Sequence, residues 1–240
     1  MEQIDDLQNG YFIIQKTNAF KFGVDAVLLA DFAEVKMRYS VIDFCTVTGI
    51  IPILLYAKKR PKKIVGIELQ TEMAEMASRS VVYNHLEHCI RIFEMNLKNV
   101  SKYFGKEQFD AVTVNPPYMK VGKGICCPEE RKALARFEIA CTLEDVIVNA
   151  REVLKQNGRI YMVHRADRLI DVITVMKETG LEPKRLCFVH PSVGKRPNLL
   201  LIEGIKRGRP GLKLSDPIYV YNENGTFTEQ IETIYGRRRS

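Results

Sequence analysis

The 240-residue chain has no run of 18 apolar residues, so no membrane span is predicted. No C-x-x-C pair links its six cysteines, Cys45, Cys89, Cys126, Cys127, Cys141 and Cys187, and their spacing follows no pattern. Free thiols in a reducing, cytoplasmic setting are the expectation. The first residues, Met1–Asp6, are acidic and lack a signal-peptide pattern. There is no P-loop motif and no Ser-His-Asp arrangement. Histidine is scarce, at four residues. His85 and His88 form an H-x-x-H pair with no third ligand nearby, so they read as helix-end residues and no metal is expected. His164-Arg165 follows a strand and reads as a turn, and His190-Pro191 ends a strand. The adjacent Cys126 and Cys127 read as loop thiols. No internal repeat or low-complexity segment is present.

What the chain does have is an ordinary globular composition, 46% apolar and 27% charged, with an uneven net charge of +7. Pro183–Ser240 holds 11 Lys and Arg against five Asp and Glu, so most of the excess lies in the last quarter. Such asymmetry points to a polyanion, and for a cytosolic enzyme to nucleic acid. The knot Lys58-Lys59-Arg60-Pro61-Lys62-Lys63 falls where a helix should end, where cations suit the helix dipole.

Strand-like and helix-like patterns alternate. Tyr39–Cys45, Lys63–Leu69, Ile90–Met95, Phe109–Val114 and Gly158–His164 read as strands. Ile50–Lys59, Thr71–His85, Thr142–Lys155 and Ala166–Thr179 read as helices, with Thr142 as an N-cap and Gly158 and Gly180 as stops. Leu186–Val189 and Leu199–Glu203 form a closing pair that can run antiparallel at one edge. The alternation predicts an α/β fold with a mostly parallel sheet covered on both faces. Outside it lie residues 1–38 with a helix at Asp25–Phe32, a charged insert at 119–140, and residues 205–240. In the last, Ile218–Tyr221 and Thr226–Glu229 flank Asn224-Gly225 as an expected hairpin.

Asn115-Pro116-Pro117-Tyr118 ends the apolar strand Phe109–Val114. Two prolines cannot donate to a ladder, so the strand must stop there. The result is a rigid hook at a strand's carboxyl end, where open α/β sheets bind ligands. The Asn115 amide, the Pro116 carbonyl and the Tyr118 ring together can grip a planar NH2 group and stack on the ring that bears it.

Upstream, Asp43-Phe44-Cys45-Thr46-Val47-Thr48-Gly49 joins the first strand to a helix, with Pro52 in the helix's first turn. Glu68 ends the next strand, 19 residues after Gly49, well placed for a ribose hydroxyl pair. Asn96 ends the third strand, where it can face an adenine amine or cap a turn. Strand, glycine loop, helix, strand and acid form the general plan for an adenosine-containing ligand.

In this order, loop, acid and Asn-Pro-Pro-Tyr resemble the Rossmann-like, S-adenosylmethionine-dependent methyltransferases that modify amino nitrogens. Phe20-Lys21-Phe22-Gly23-Val24-Asp25-Ala26-Val27-Leu28-Leu29 resembles the opening motif of the bacterial tRNA1(Val) adenine-37 N6-methyltransferase family. Ala135–Glu138, Cys141–Asp145, Met162–Arg165 and Lys195–Lys213 resemble its Gram-positive branch. The resemblance runs from about residue 10 onward. It implies a seven-stranded sheet whose last strand is antiparallel, with helices on both faces. It implies S-adenosylmethionine as cofactor: Asp43 and the loop Cys45, Thr46 and Gly49 at its methionine part, Glu68 and Leu69 at the ribose end, and Asn96 beside the adenine. Lys21, Phe22 and Asp25 would close over it, making residues 1–38 a lid before the core at 39–204 and a basic hairpin and tail at 205–240 of the same domain. Asn115, Pro116, Pro117 and Tyr118 would bind the target base, and Asn115 would also touch the cofactor. Lys120, Lys123, Arg131, Lys132, Arg136, Lys195 and Arg196 would contact tRNA. No membrane and no metal partner is expected, and a monomer is favoured.

Asn-Pro-Pro-Tyr is shared with DNA, rRNA and glutamine methylases, so those targets stand as alternatives. Val47 departs from the family's loop pattern, close to Asp-x-Gly/Cys-x-Gly-x-Gly. A β-branched residue at positive φ is a true outlier. Val47 therefore implies a remodelled loop, a weakened cofactor site, or an inactive RNA-binding homologue. Asn96 stands where the family more usually has Asp.

Overall fold

The computed structural model describes residues 2–7, 10–17, 23–116 and 141–236. Lys21, Phe22, Pro117, Tyr118, Lys120, Lys123, Arg131, Lys132, Arg136, Cys126 and Cys127 lie outside those residues. A β-hairpin comes first, β1 (Glu2–Asp6) with β2 (Phe12–Lys16), then helix α1 (Val24–Phe32). The alternating core follows: β3 (Ser40–Phe44), α2 (Ile50–Lys59), β4 (Lys63–Glu68), α3 (Thr71–Tyr83), β5 (Ile90–Glu94), α4 (Val100–Phe104) and β6 (Phe109–Val114). After residue 141 come α5 (Leu143–Val153), β7 (Leu154–Arg165), α6 (Leu169–Glu178), β8 (Leu181–Ser192), β9 (Leu199–Lys206), β10 (Lys213–Leu214), β11 (Ile218–Tyr221) and α7 (Glu229–Ile234).

Seven long strands lie in the order β8-β9-β7-β6-β3-β4-β5. Among the described residues of this sheet, only β9 runs antiparallel to its neighbours, β7 and β8. Two short strands, β10 and β11, extend the edge beside β8, making nine in all. The expected sheet of seven is therefore widened by residues downstream of β9. Apolar runs such as Val41-Ile42 alternate faces with the pleat, and both faces are covered. Val41, Ile64 and Ala111 pack with α1 and α2, whereas Ile42, Val65 and Val112 pack with α5 and α6.

Helix α2 has the predicted bounds, and Pro52 is buried in its first turn. Thr142 caps α5 with a reciprocal box: its Oγ1 accepts from Asp145 N at 3.1 Å and its N donates to Asp145 Oδ2 at 2.9 Å. Lys58, in the basic knot, donates to Asp31 at 3.0 Å, tying the end of α2 to α1.

Some expectations are corrected. Residues 226–229 do not form a second hairpin arm; Phe227 makes one bridge to Tyr221 and the chain enters α7. Thr228 caps that helix by accepting from Ile231 N. Gly158 does not stop α5, because the chain passes straight from Val153 into β7. The strand expected at Gly158–His164 runs from Leu154 through Arg165, so Arg165 is in β7 rather than in a turn.

Candidate cofactor and target-base site

The carboxyl ends of β3, β4, β5 and β6 lie side by side, because these strands are parallel neighbours. At the end of β3, Asp43 is fully buried and its Oδ1 accepts from Thr113 Oγ1 of β6 at 2.6 Å. Its Oδ2 is buried without a hydrogen-bond partner. Burial pushes the Asp43 carboxyl up to about 7, against the pull of the Thr113 and Thr46 hydroxyls. An orphaned buried acceptor beside a loop is a place prepared for a donor.

The loop after β3 keeps the backbone that glycine would take. Cys45 has φ 58°, Val47 φ 49° and Gly49 φ 85°. Valine here adopts the left-handed conformation, at a cost of about 1–3 kcal/mol. Several bonds hold it there. Val47 N donates to Glu68 Oε2 at 2.9 Å, Thr46 N to Ile67 O at 3.0 Å, and Gly49 N to Thr46 O at 2.8 Å. Glycine is required at 49, since a side chain there would be strained by φ and would press Ala77 Cβ at 3.3 Å.

Glu68 is the pin. It is 1% exposed; Oε2 accepts from Val47, and Oε1 accepts from Leu69 N and Gln70 N, both at 2.9 Å. Burial raises its carboxyl above the ordinary value, and the three N–H groups pull it back. A carboxylate offers about four acceptor positions, so one remains for a ribose hydroxyl.

Beyond Glu68 a shallow cleft, open to solvent, is lined by Cys45, Ile67, Leu69, Met95, Asn96, Leu97 and Cys141. Its walls are mainly apolar, with Asn96 at the rim. Asn96 Oδ1 accepts from Lys98 N at 3.0 Å, so it caps a turn as well as facing the cleft. Cys141, Met95 and Ile67 carried no sequence signal as site residues; proximity in space alone brings them in. The Cys45 thiol donates to Cys141, and that bond with burial holds Cys45 well above the usual thiol range.

The target side begins at Asn115, half-buried past β6, and Pro116, which is buried. Asn115 Nδ2 donates to Asp25 Oδ2 at 3.2 Å. Asp25 sits in the first turn of α1, 6% exposed, and its Oδ1 accepts from Ala26 N at 3.1 Å. The structure thus brings Asp43, Cys45, Thr46, Gly49, Glu68, Leu69 and Asn96 together, and Asn115 with Asp25. Lys195 and Arg196 are farther away, in the turn between β8 and β9 on the same edge of the sheet. β8 lies three strands from β6 and runs on past it: Val114 is level with Leu186, and Lys195 is nine residues further along. His164, at the end of β7, is lowered to about 4 by burial and by Arg168, so it is neutral at pH 7. Among the described residues no helix is long and apolar enough to cross a membrane, and no cluster could hold a metal ion.

Residues 22–179 match the methyltransferase small domain family. A protein of Parabacteroides distasonis named tRNA1(Val) (adenine(37)-N6)-methyltransferase is 27% identical over 205 residues, spanning 82% of this chain and 84% of that protein. A Histophilus somni protein of the same name is 26% identical, spanning 93% of this chain and 92% of its own length. Among solved structures, a protein from Agrobacterium tumefaciens titled a predicted O-methyltransferase superposes with a TM-score of 0.71 at 20% identity. That match covers 90% of this chain and 97% of that one, and it speaks for the fold alone. The sheet order agrees with the family match across residues 22–179: the chain belongs to the methyltransferase small domain family and is a methyltransferase.

Proposed function

We propose that the protein transfers the methyl group of S-adenosylmethionine to the exocyclic N6 of an adenine in tRNA. The observation that carries this reading is Asn115-Pro116 at the end of β6, one strand from Asp43 and its loop. The names of the Parabacteroides and Histophilus relatives support tRNA and adenine N6 as the target. The basic C-terminal quarter, with Lys195 and Arg196 on the same edge, supports a polyanion.

The residues fit the cofactor. The unpartnered Asp43 Oδ2 suits the ammonium of its methionine part, the remaining Glu68 acceptor suits a ribose hydroxyl, and the Leu69–Leu97 cleft with Asn96 suits an adenine. When bound, S-adenosylmethionine supplies a methyl already activated on a sulfonium. The protein's part is positioning. Asn115 Oδ1 and the Pro116 carbonyl accept the two N–H bonds of the target amine, which draws its lone pair out of ring conjugation and toward the methyl. No strong base is required, since the nitrogen becomes acidic as the new bond forms. Tyr118 would stack on a base turned out of its strand, a contact worth on the order of 1–3 kcal/mol.

Labelled-methyl transfer to tRNA, rRNA and release-factor protein, followed by nucleoside analysis, tests the proposal. N6-methyladenosine in tRNA is the expected product. Label in rRNA or in glutamine moves the target while keeping the chemistry. Absence of transfer to any of them, with tRNA still bound, favours the inactive RNA-binding reading that Val47 raises.

A further inference from the structure

We infer that Asp25 is a positioning residue for methyl transfer: it fixes which way the Asn115 side-chain amide faces, so that Oδ1 is presented to the target amine. This rests on the proposed amine-gripping role of Asn115. An asparagine amide has two ends of nearly equal shape and opposite hydrogen-bonding sense. With Oδ1 outward, Asn115 accepts from a target NH2. With Nδ2 outward it confronts that NH2 donor to donor, and the target is repelled. A neighbour that can only accept decides between the two, and a carboxylate can only accept. Asp25 is that neighbour: Oδ2 takes the Asn115 Nδ2 at 3.2 Å, 90 residues along the chain.

The placement of Asp25 is specific. Its carboxyl folds back over Gly23, where an added Cβ would lie 2.4 Å from Oδ1 and 3.2 Å from Cγ. A side chain at 23 would therefore displace the carboxylate from Asn115. The remainder of α1 is rigidly seated, with Ala26, Val27, Leu28, Leu29 and Ala30 all at most 3% exposed. The helix N-terminus favours a negative charge at Asp25.

Both Asp25 oxygens accept, Oδ1 from Ala26 N and Oδ2 from Asn115. An amide at position 25 cannot do both. If its oxygen keeps the Ala26 N–H, its nitrogen faces Asn115, which must turn over to present Oδ1 inward. Asp25→Asn therefore holds Asn115 the wrong way round, whereas Asp25→Ala only releases it. The variant closer in shape is expected to be the slower enzyme.

The test compares kcat and KM for tRNA, and cofactor affinity by calorimetry, in wild type, Asp25→Asn and Asp25→Ala. A misdirected donor at the reacting group should lower kcat of Asp25→Asn by about 100-fold, the scale of one oriented hydrogen bond in catalysis. Asp25→Ala should lose about tenfold, the scale of a bond released rather than opposed. KM for tRNA should stay as in wild type, and any change in cofactor affinity from the place of Asp25 beside the cofactor should be the same in both variants. An Asp25→Ala enzyme as slow as Asp25→Asn, or a loss confined to KM or cofactor affinity, overturns the inference. A second readout is independent of turnover: the Asn115 side-chain amide signal in 15N-correlated NMR, assigned by its disappearance in Asn115→Ala. Its two protons should be well separated in wild type and draw together in Asp25→Ala; an unchanged signal overturns the inference. Wild type inactive on every substrate, with that NMR response present, would count against the function and leave the positioning contact established.

Discussion

Around Val47 the main chain is held by main chain and buried acids; around Asn115 one side chain holds another. In the first region Glu68 gathers three N–H groups from two loops, and Ile67 O and Thr46 O take two more. Such a net fixes the backbone whatever side chain the loop carries, and so a valine occupies a conformation suited to glycine. In the second region the orientation of Asn115 depends on the 3.2 Å contact with Asp25. The proposed cofactor half of the site is thus tolerant of a poor residue, and the proposed target half depends on chemical identity at single positions. Substitutions should separate them.

The largest effect is expected at the target half. Asn115→Ala removes an acceptor of the target amine and should lower kcat by roughly 100- to 1,000-fold, the cost of one oriented catalytic hydrogen bond. Single-turnover methyl transfer at saturating cofactor measures it. Next comes the pin of the cofactor half. Glu68→Gln replaces an accepting oxygen by a donor, so one of the three N–H groups loses its acceptor. Urea unfolding should show about 1–3 kcal/mol of lost stability, with weakened cofactor binding alongside.

Asp43 gives a smaller effect with a distinctive pH signature. Its folded value, about 7, lies above its ordinary value of 3.8, because the charged form is buried. The stability tied to its neutral form is fully present below about pH 4 and is lost as pH rises toward 7. His164 has the opposite sign: lowered from 6.5 to about 4, it loses stability as pH falls through that interval. Unfolding of Asp43→Asn between pH 4 and 7 should thus lose the falling component and show stability rising with pH. A profile parallel to wild type would contradict burial as the cause. The smallest effect is expected for Val47→Gly. Relief of the left-handed strain is partly cancelled by a more flexible unfolded chain, leaving a stability change within about 1 kcal/mol. Cofactor affinity should rise, because the loop keeps its shape and loses a side chain that is 38% exposed.

Sequence periodicity located those elements whose cause is local. The runs at Phe109–Val114 and Ile50–Lys59 and the Thr142 cap carry their own signals, and their bounds agree with the structure. The β1–β2 hairpin was not legible. Glu2-Gln3-Ile4-Asp5-Asp6 has no strand composition and exists because Phe12–Lys16 pairs with it. That second strand leans on α3, where Asn84 and Ser80 accept from Phe12 N and Ile14 N. The bounds of β7 were hidden because α5 gives way to it without a turn. Within the site, Asp43, the Cys45–Gly49 loop, Glu68 and Asn115 stand at strand ends that hydropathy reveals. The bonds from Val47 to Glu68, Asp43 to Thr113 and Asn115 to Asp25 join residues 21, 70 and 90 positions apart, and no local pattern encodes them.

Calorimetric titration of the intact protein with S-adenosylmethionine and with its demethylated product, repeated from pH 6 to 7.5, tests the cofactor site most directly. Micromolar binding that strengthens with pH is expected, since Asp43 must give up its proton to meet the ligand's ammonium. Failure to bind at millimolar ligand across that range would contradict a cofactor site formed by Asp43, Glu68 and the Val47 loop.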